Sequence, residues 1–280
     1  MSDAAERHQA QIEAWNGPMG ANWAANEART ERQLAPVAEA LLRVAAPVAG
    51  ETVLDIGCGC GGTTLAFARA VGPTGRAIGA DVSAPMLEVA RATAVPPAEF
   101  VLADAATHEF APGSVDLLTS RFGVMFFGDP DAAFGHLRRA MKPSGRVAFA
   151  CWRPVAENPW VHVPMAAIAK LVPPMPRPGP EDPGPFAFGN AERVTRILTA
   201  GGFAAPAFEK FDFAMRFRGD PATAAAAVAL VGPASRALRD LTEDMRARAV
   251  EAIAEAIVPY AVEGEIRLGG AVWLVTTRPA

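Results

Sequence analysis

The chain has 280 residues, of which 51% are hydrophobic and 20% charged, and its formal net charge at pH 7 is −4. That length and composition allow a large buried core, and the lack of a long basic run argues against a general nucleic-acid binder. Three cysteines make no disulfide framework, the N-terminus has no signal-peptide core, and no run of about 18 uncharged apolar residues predicts a membrane span. We therefore expect a soluble cytoplasmic protein.

Apolar periodicity predicts two N-terminal helices within residues 4–48, separated by a turn at Trp15-Asn16-Gly17-Pro18. Strand and helix patterns then alternate. The predicted strands are 52–56, 76–81, 99–103, 115–120 and 146–151. The predicted helices between them are 63–70, 83–94 and 131–141. This alternation favours a doubly wound, mostly parallel α/β sheet, in which we expect the last strand to be antiparallel.

The composition changes after Trp152. Residues 153–190 are rich in proline, most densely at 172–180, yet they keep Trp160, Phe186 and Phe188 as apolar anchors. These aromatics favour a cap over a plain linker. Further helices are predicted at 190–200, 221–241 and 243–257, and further strands at 208–217 and 271–277. We expect four parts: a helical lid (1–50), an α/β core (51–152), a cap insertion (153–200) and a C-terminal completion of the sheet (201–280).

The stretch VLDIGCGCGG, residues 53–62, predicts a buried strand that runs into a glycine loop. Gly57, Gly59 and Gly62 satisfy the G-x-G-x-x-G fingerprint, in which a helix N-terminus holds the pyrophosphate of a dinucleotide. Asp55 would repel a pyrophosphate, but it would attract a ligand with a cationic amine and a sulfonium. S-adenosylmethionine is such a ligand, and glycines without side chains allow its close approach.

The motifs across residues 51–152 resemble those of the class I S-adenosylmethionine-dependent methyltransferases. VLDIGCGCGG is similar to the first motif of that family, IGADVSAPMLEVAR to the second-strand motif, LADAA to the third, and VDLLTSRFGVMFF and MKPSGRVAFACW to the segments that follow. The resemblance implies a seven-stranded sheet, with S-adenosylmethionine as cofactor and S-adenosylhomocysteine as product. The implied cofactor residues are Trp23, Asp55, Gly57, Cys58, Gly59, Gly61, Asp81, Val82, Met86, Asp104, Ala105, Ser120 and Arg121.

Within that set, the resemblance implies Asp81 on the ribose, Asp104 on the adenine edge and Met86 against the adenine ring. It also implies Arg121 beside the methionine part of the cofactor. Each of these residues has another interpretation. Asp81 could be an ordinary N-cap at a strand end, and Asp104 a solvated carboxylate in a turn. Met86 could fill a core, and Arg121 could join a structural salt bridge. Trp23, on the N-terminal helices, could close over the cofactor or simply pack.

The rest of the chain resembles a bacterial subset of the family that has a Trp-Asn-Gly N-terminus and a Cys-Trp-Arg element, and whose members act on varied small molecules. A small, partly hydrophobic acceptor is favoured by an apolar aromatic set: Phe122, Met125, Phe126, Trp152 and Trp160. The methyl donor is already activated. In-line displacement therefore depends more on the alignment of the acceptor and the exclusion of water than on an acid or base. His162, in the cap, is the candidate general base.

Other partners are not predicted. Cys58 and Cys60 lack the second pair of ligands that a structural zinc site needs, so we expect no metal. We expect no nucleic-acid or membrane partner, and a homodimer is left open. Two other functions remain: an NAD-dependent oxidoreductase, and a methyltransferase-like protein that binds the cofactor without turnover.

Overall fold

The computed structural model describes residues 3–174, 179 and 182–280, and it divides the chain into two compact units. Unit 1 comprises residues 1–152, 179–211 and 272–280, and unit 2 comprises residues 153–178 and 212–271. Part of the proline-rich run, residues 175–178, 180 and 181, lies outside the described residues. The predicted division into four parts stays a prediction.

The bounds of the regular elements follow chain order. The helices are α1 (Asp3–Asn16), α2 (Pro18–Ala25), α3 (Glu27–Ala45), α4 (Gly62–Val71), α5 (Ala84–Ala92), α6 (Pro130–Ala140), α7 (Pro159–Ile168), α8 (Ala191–Ala200), α9 (Pro221–Val228), α10 (Gly232–Leu238) and α11 (Glu243–Ile257). The strands are β1 (Thr52–Ile56), β2 (Arg76–Asp81), β3 (Ala98–Leu102), β4 (Val115–Arg121), β5 (Met141–Trp152), β6 (Ala207–Arg218), β7 (Ala261–Val262) and β8 (Glu265–Thr277).

The sheet confirms the predicted fold class. Its strand order is β3-β2-β1-β4-β5-β8-β6, with β7 paired to β8. Strands β1 to β5 pair in parallel, and β8 is antiparallel to β5. The chain reverses its direction across the sheet between β1 and β4. In open α/β sheets, ligands bind outside the carboxyl ends of the strands at such a switch point.

The core of unit 1 explains why its strands are continuous apolar runs. Helices α3 and α4 place Leu41 and Phe67 in one buried cluster with Val53 of β1 and Leu117 of β4. A parallel sheet is covered on both faces, so its strands need apolar residues at successive positions rather than at alternate ones. This packing fixes the ends of β1, β2 and β4, from which the candidate site projects.

A buried polar side chain, that of Asn158, connects several backbone segments of unit 2. Asn158 is fully buried, and its Nδ2 donates hydrogen bonds to the backbone oxygens of Arg153 at 3.0 Å and Pro154 at 3.1 Å. Its Oδ1 accepts from Trp160 Nε1 at 3.1 Å and from the Ala271 N–H at 2.8 Å. Helix α11 packs against α7 and α9 in the same unit. The Asn-Pro-Trp sequence is therefore a structural junction of this unit.

Several predicted boundaries were wrong. The N-terminal segment holds three helices rather than two, because Asn26 ends α2 and precedes α3. The predicted helix 221–241 is two helices, because Gly232, at a φ of +55°, begins α10 in a left-handed conformation. The last strand begins at Glu265 instead of residue 271, and a two-residue turn at Glu263 and Gly264 joins it to β7. Over the described residues, no helix has both the length and the apolar character needed to cross a bilayer.

Candidate functional site

The glycine loop between β1 and α4 is shaped by close backbone contacts. Gly57, at a φ of +65°, donates its N–H to the Ala80 oxygen at 2.8 Å. A Cβ at Gly57 would lie 2.6 Å from the Cα of Gly123, so the loops after β1 and β4 approach closely only because both residues are glycine. Gly59 has room instead: the nearest atom to a Cβ there would be the Sδ of Met86, at 3.8 Å. Met86 therefore lies beside the loop, and it is buried.

Asp81, at the end of β2, holds this loop to the start of α5. Its Oδ2 accepts the Gly59 N–H at 2.7 Å, and its Oδ1 accepts the Ser83 N–H at 2.8 Å. Burial raises the pKa of Asp81, while N–H groups of Ser83, Gly59 and Val82 oppose that rise. Each carboxylate oxygen still has a further lone pair with which to accept a hydroxyl.

Asp55, in β1, is almost completely buried at 1% exposure, and only one of its two carboxylate oxygens has a hydrogen-bond partner. Its Oδ2 accepts a hydrogen bond from Thr64 Oγ1 at 2.6 Å, but its Oδ1 has no hydrogen-bond partner. Burial raises the pKa of Asp55 to about 7, against the opposing effects of the Thr64 hydrogen bond and the Arg121 charge. A buried carboxylate oxygen without a donor is costly, so this position is suited to a ligand that brings an N–H group.

Arg121, at the end of β4, forms an ion pair with Glu31 of α3. The Arg121 side chain is only 9% exposed, and its Nη1 is buried without a hydrogen-bond partner. Of the two interpretations left open for Arg121, the salt bridge is present in this structure, while one terminal nitrogen keeps its donors. The described residues around the loop thus hold both a buried acceptor, on Asp55, and a buried donor, on Arg121.

Asp104, after β3, is held by the N-terminal helix. Its Oδ2 lies 2.9 Å from His8 Nε2 and accepts from Thr107 Oγ1 at 2.8 Å, while its Oδ1 accepts the Ala106 N–H at 3.0 Å. Burial raises the pKa of Asp104, but the hydrogen bonds from His8, Ala106 and Thr107 together hold it below its ordinary value. The hydrogen bond to Asp104 in turn raises the pKa of His8. Ala105 is buried next to this pair.

The hydroxyl of Ser120 makes hydrogen bonds to backbone groups at the ends of the strands. Its Oγ donates to the Ile56 oxygen at 2.7 Å and accepts the Gly123 N–H at 3.0 Å and the Val124 N–H at 3.2 Å. The side chain thereby fastens the end of β4 to the end of β1. Its predicted place beside the cofactor stays a prediction.

The comparisons with known proteins agree with this geometry. A family model described as a methyltransferase domain matches residues 53–145. Over residues 53–145 the chain is therefore similar to a methyltransferase domain. The resemblance predicted from the motifs is thus confirmed for the segment that contains β1 to β4 and the glycine loop.

Two curated relatives each match a part of the chain. Nocamycin O-methyltransferase of Saccharothrix syringae is 36% identical over 119 residues, which cover 40% of this chain and 41% of that protein. The ubiquinone/menaquinone biosynthesis C-methyltransferase UbiE of Hahella chejuensis is 38% identical over 104 residues, which cover 35% of this chain and 42% of that protein. These matches therefore span about two fifths of the length of the relatives.

A solved structure extends the likeness in fold. Phosphoethanolamine N-methyltransferase 2 of Haemonchus contortus, in complex with phosphomonomethylethanolamine and S-adenosylhomocysteine, superposes with a TM-score of 0.53. It is 19% identical in sequence, and the superposition covers 88% of this chain and 53% of that one. At this identity the likeness concerns the fold.

The structure divides the predicted aromatic set into groups. In unit 1, Phe122 stacks on Trp152 with ring centroids 4.4 Å apart and planes 9° apart. Phe122 has a φ of +69°, which is an unusual conformation for a bulky side chain and is found where neighbouring structure enforces it. Phe126 and Trp15 form a T-shaped pair with ring centroids 5.2 Å apart, and Trp15 and Trp23 form another with ring centroids 6.0 Å apart.

The other predicted acceptor residues lie elsewhere. Met125 is buried in unit 1, and its backbone oxygen accepts the Gly184 N–H at 3.0 Å. Trp160 and His162 are on α7 in unit 2, where Trp160 is buried and bonded to Asn158, and His162 is exposed. Their roles toward a substrate stay predictions.

The loop cysteines of the methyltransferase domain have the properties of neutral thiols. Burial raises the pKa of Cys58 well above its ordinary value and that of Cys60 to about 12. A metal ligand or nucleophile must be a thiolate at working pH, which these environments oppose. The described part of the chain contains no group of three His, Cys, Asp or Glu side chains that could hold a metal ion.

The sequence analysis missed four residues at the candidate site: His8, Asn16, Glu31 and Thr64. Thr64 lies in the first turn of α4, two residues after Gly62, so its proximity to Asp55 could have been inferred from the position of that turn. Asn16 lies in the Trp-Asn-Gly element, and its Nδ2 donates to the Val82 oxygen at 2.8 Å. His8 and Glu31 bond to residues 96 and 90 positions away, so no local pattern reveals their partners.

Proposed function

We propose that this chain is an S-adenosylmethionine-dependent methyltransferase that acts on a small, partly hydrophobic acceptor. The observation that carries the proposal is the pair of unsatisfied buried atoms beside the glycine loop, Asp55 Oδ1 and Arg121 Nη1. One is an acceptor on an acid, and the other is a donor on a cation. The amino-acid end of S-adenosylmethionine offers the complementary ammonium and carboxylate.

The same pair argues against a dinucleotide. A pyrophosphate would have to lie beside the buried carboxyl of Asp55, and it would supply no donor for the open oxygen. A cationic ammonium would instead favour the ionised carboxyl, whose pKa burial has raised to about 7. Asp55 thus supports S-adenosylmethionine over NAD as the cofactor.

The remaining cofactor contacts follow from the ends of β2 and β3. We assign the free lone pairs of Asp81 to the ribose hydroxyls, because the backbone N–H groups of Gly59 and Ser83 already fix the orientation of that carboxylate. We assign Asp104 to the amino edge of the adenine, and Met86 to its ring face. Gly59 leaves the backbone open toward that ligand.

When bound, S-adenosylmethionine supplies a methyl group that is already activated by its sulfonium. The chain then has to hold the acceptor in line with the carbon–sulfur bond and to exclude water. We assign the stacked pair Phe122 and Trp152 to the apolar wall for the acceptor, because Phe122 is fixed at the end of β4 by its backbone hydrogen bond to Ala150. Matches to an O- and a C-methyltransferase support the reaction class and leave the accepting atom to experiment.

The first test is calorimetric titration of the purified chain with S-adenosylhomocysteine, with NAD as the parallel ligand. We expect micromolar binding of S-adenosylhomocysteine alone, and weakened binding in Asp55→Asn. Asp116→Asn is the matched control. Asp116 is also an aspartate on a strand of the sheet, but its carboxylate pairs with Lys142 at 2.7 Å instead of facing the glycine loop. Binding of NAD alone would refute the proposed cofactor.

The second test is transfer of a radiolabelled methyl group from S-adenosylmethionine to a panel of acceptors. We expect products from small apolar or aromatic compounds that carry a hydroxyl, amine, thiol or acidic carbon. Transfer only to protein or RNA would refute the small-molecule assignment. Cofactor binding without transfer to any member of a broad panel would favour the binding protein without turnover. The proposal also includes the helical lid, the cap, His162 as the general base, a homodimer and a cytoplasmic location.

A further inference from the structure

The ion pair between Glu31 and Arg121 occupies a specific place in the methyltransferase domain. Helix α4 begins at Gly62, and the Glu31 carboxylate lies directly against that residue. A Cβ built on Gly62 would be 2.7 Å from Glu31 Cδ and 3.2 Å from its Oε1. The Glu31 side chain is 25% exposed and that of Arg121 9%, so the pair is largely shielded from water.

A carboxylate at this position has a physical reason. The first N–H groups of an α-helix have no partner within the helix and carry a partial positive charge, so they attract anions. The N-cap of α4 is Gly61, which offers no side chain to bond these groups. Glu31 therefore brings a negative charge to a helix terminus that has no cap of its own.

The arrangement is nevertheless incomplete. Arg121 Nη1 is buried without a hydrogen-bond partner, although the other terminal nitrogen of Arg121 binds Glu31. The same elements hold three more buried side-chain atoms without a partner: Asp55 Oδ1, Thr63 Oγ1 and Thr119 Oγ1. Buried polar groups are normally satisfied, so four such atoms on β1, β4 and the first turn of α4 point to a ligand that supplies missing bonds. Glu31 alone satisfies only part of this set.

We propose that Glu31 is an internal competitor for the carboxylate end of the cofactor, which must displace the Glu31 side chain from Arg121 and from the start of α4. This inference rests on the proposed function. The displaced group is a carboxylate paired with a cation beside a helix N-terminus, so the incoming group is the carboxylate of the ligand rather than its ammonium. The ammonium belongs with Asp55, on the acidic side of the loop.

Competition of this kind has a measurable signature. When an internal group occupies the site, the apparent affinity of the ligand equals its intrinsic affinity multiplied by the fraction of molecules in which the site is open. The effect is confined to ligands that need the blocked position. S-adenosylhomocysteine carries the carboxylate, whereas 5′-methylthioadenosine shares the adenosine and the thioether but has no amino-acid end.

The experiment titrates the full chain with both ligands in the wild type and in Glu31→Gln. Glu39→Gln is the matched control, because Glu39 is an exposed acid on the same helix and its loss changes the net charge equally. We expect Glu31→Gln to bind S-adenosylhomocysteine about fivefold or more tightly than the wild type does, with 5′-methylthioadenosine unchanged. Glu39→Gln should leave both affinities unchanged.

Glu31→Asp provides a second variant. It keeps the charge but withdraws the carboxylate by one methylene, so we expect S-adenosylhomocysteine to bind more tightly than in the wild type and less tightly than in Glu31→Gln. Weaker or unchanged S-adenosylhomocysteine binding in the Glu31 variants, or an equal change for both ligands, would overturn the inference while leaving the proposed function intact. Failure of the wild type to bind S-adenosylhomocysteine would instead remove the proposed function, and this inference with it.

Discussion

Replacement of Asp55 by asparagine should stabilise the unliganded chain, and more so at high pH than at low pH. Burial raises the pKa of Asp55 from 3.8 to about 7. The carboxyl of the folded chain is therefore ionised only above pH 7, whereas that of the unfolded chain ionises above about pH 4. The unfolded chain releases its proton more readily, so this group lowers the free energy of unfolding as the pH rises from about 4 to 7.

The magnitude follows from the two pKa values. Above pH 7 the buried charge costs about 4 kcal/mol relative to the unfolded chain, and at pH 5 the cost falls to about 2 kcal/mol. Asparagine does not ionise, so Asp55→Asn removes this cost. The new amide brings N–H groups that lack acceptors and cost roughly 1–3 kcal/mol, but that penalty does not depend on pH. The variant should therefore gain about 2–3 kcal/mol more at pH 8 than at pH 5.

The assay is equilibrium urea unfolding of the wild type and of Asp55→Asn at both pH values. Asp116→Asn serves as the control with the opposite sign. Burial raises the pKa of Asp116, but Lys142, the Thr52 N–H and Arg146 together hold it below its ordinary value. Its stabilising contribution is complete above about pH 4, so its loss should destabilise the chain equally at pH 5 and pH 8. An effect of Asp55→Asn that is the same at both pH values would refute the reasoning from burial.

Three further outcomes are expected. In urea unfolding, Gly57→Ala should lower the free energy of unfolding much more than Gly113→Ala does. Both glycines have positive φ, but only at Gly57 would a Cβ meet another backbone, 2.6 Å from the Gly123 Cα. Equal losses would contradict that contact. His8→Gln should lower the melting temperature at pH 6 and have little effect at pH 9, because the pKa of His8 is raised by Asp104 and the stabilisation is lost as the pH rises through it. Asn158→Ala should reduce the free energy of unfolding by about 3 kcal/mol or more, since its loss leaves several buried groups unpaired, and a loss below about 1 kcal/mol would contradict a central structural role.

The parts of the fold that the sequence predicted are those set by short-range patterns. The apolar run 52–56, the glycines after it and the acid that ends β2 lie within 30 residues of one another, and the packing of a parallel sheet leaves few alternatives for them. The wrong boundaries have identifiable causes. The Gly232-Pro233 pair is a turn signal that the alanine-rich pattern around it concealed. Asn26, by contrast, ends a helix without proline or glycine, so the sequence carried only a weak signal there.

The electrostatic partners of the site could not be predicted in this way. Arg121 had two interpretations from sequence, and the choice depended on whether an acid from a distant element reached it. Glu31 does so because α3 packs along β4 and β5, which is a property of the folded core. The same holds for His8 and Asp104, which α1 brings together across 96 residues. Local sequence thus predicts the backbone that approaches the ligand, and tertiary packing decides which charges are already paired.

This division has a consequence for the proposed activity. The backbone of the loop restricts where a ligand can lie, because Gly57 and Gly123 are in contact and Asp81 fixes the Gly59 N–H. The charges around it are adjustable, since Glu31 can change its partner and Asp55, with its pKa raised to about 7, can change its ionisation. A loop with a fixed backbone and with charges that can change favours ligands by the charges of their amino-acid end. Affinity for ligands without that end should therefore depend little on pH between 6 and 8, whereas affinity for S-adenosylhomocysteine should fall as Asp55 becomes protonated.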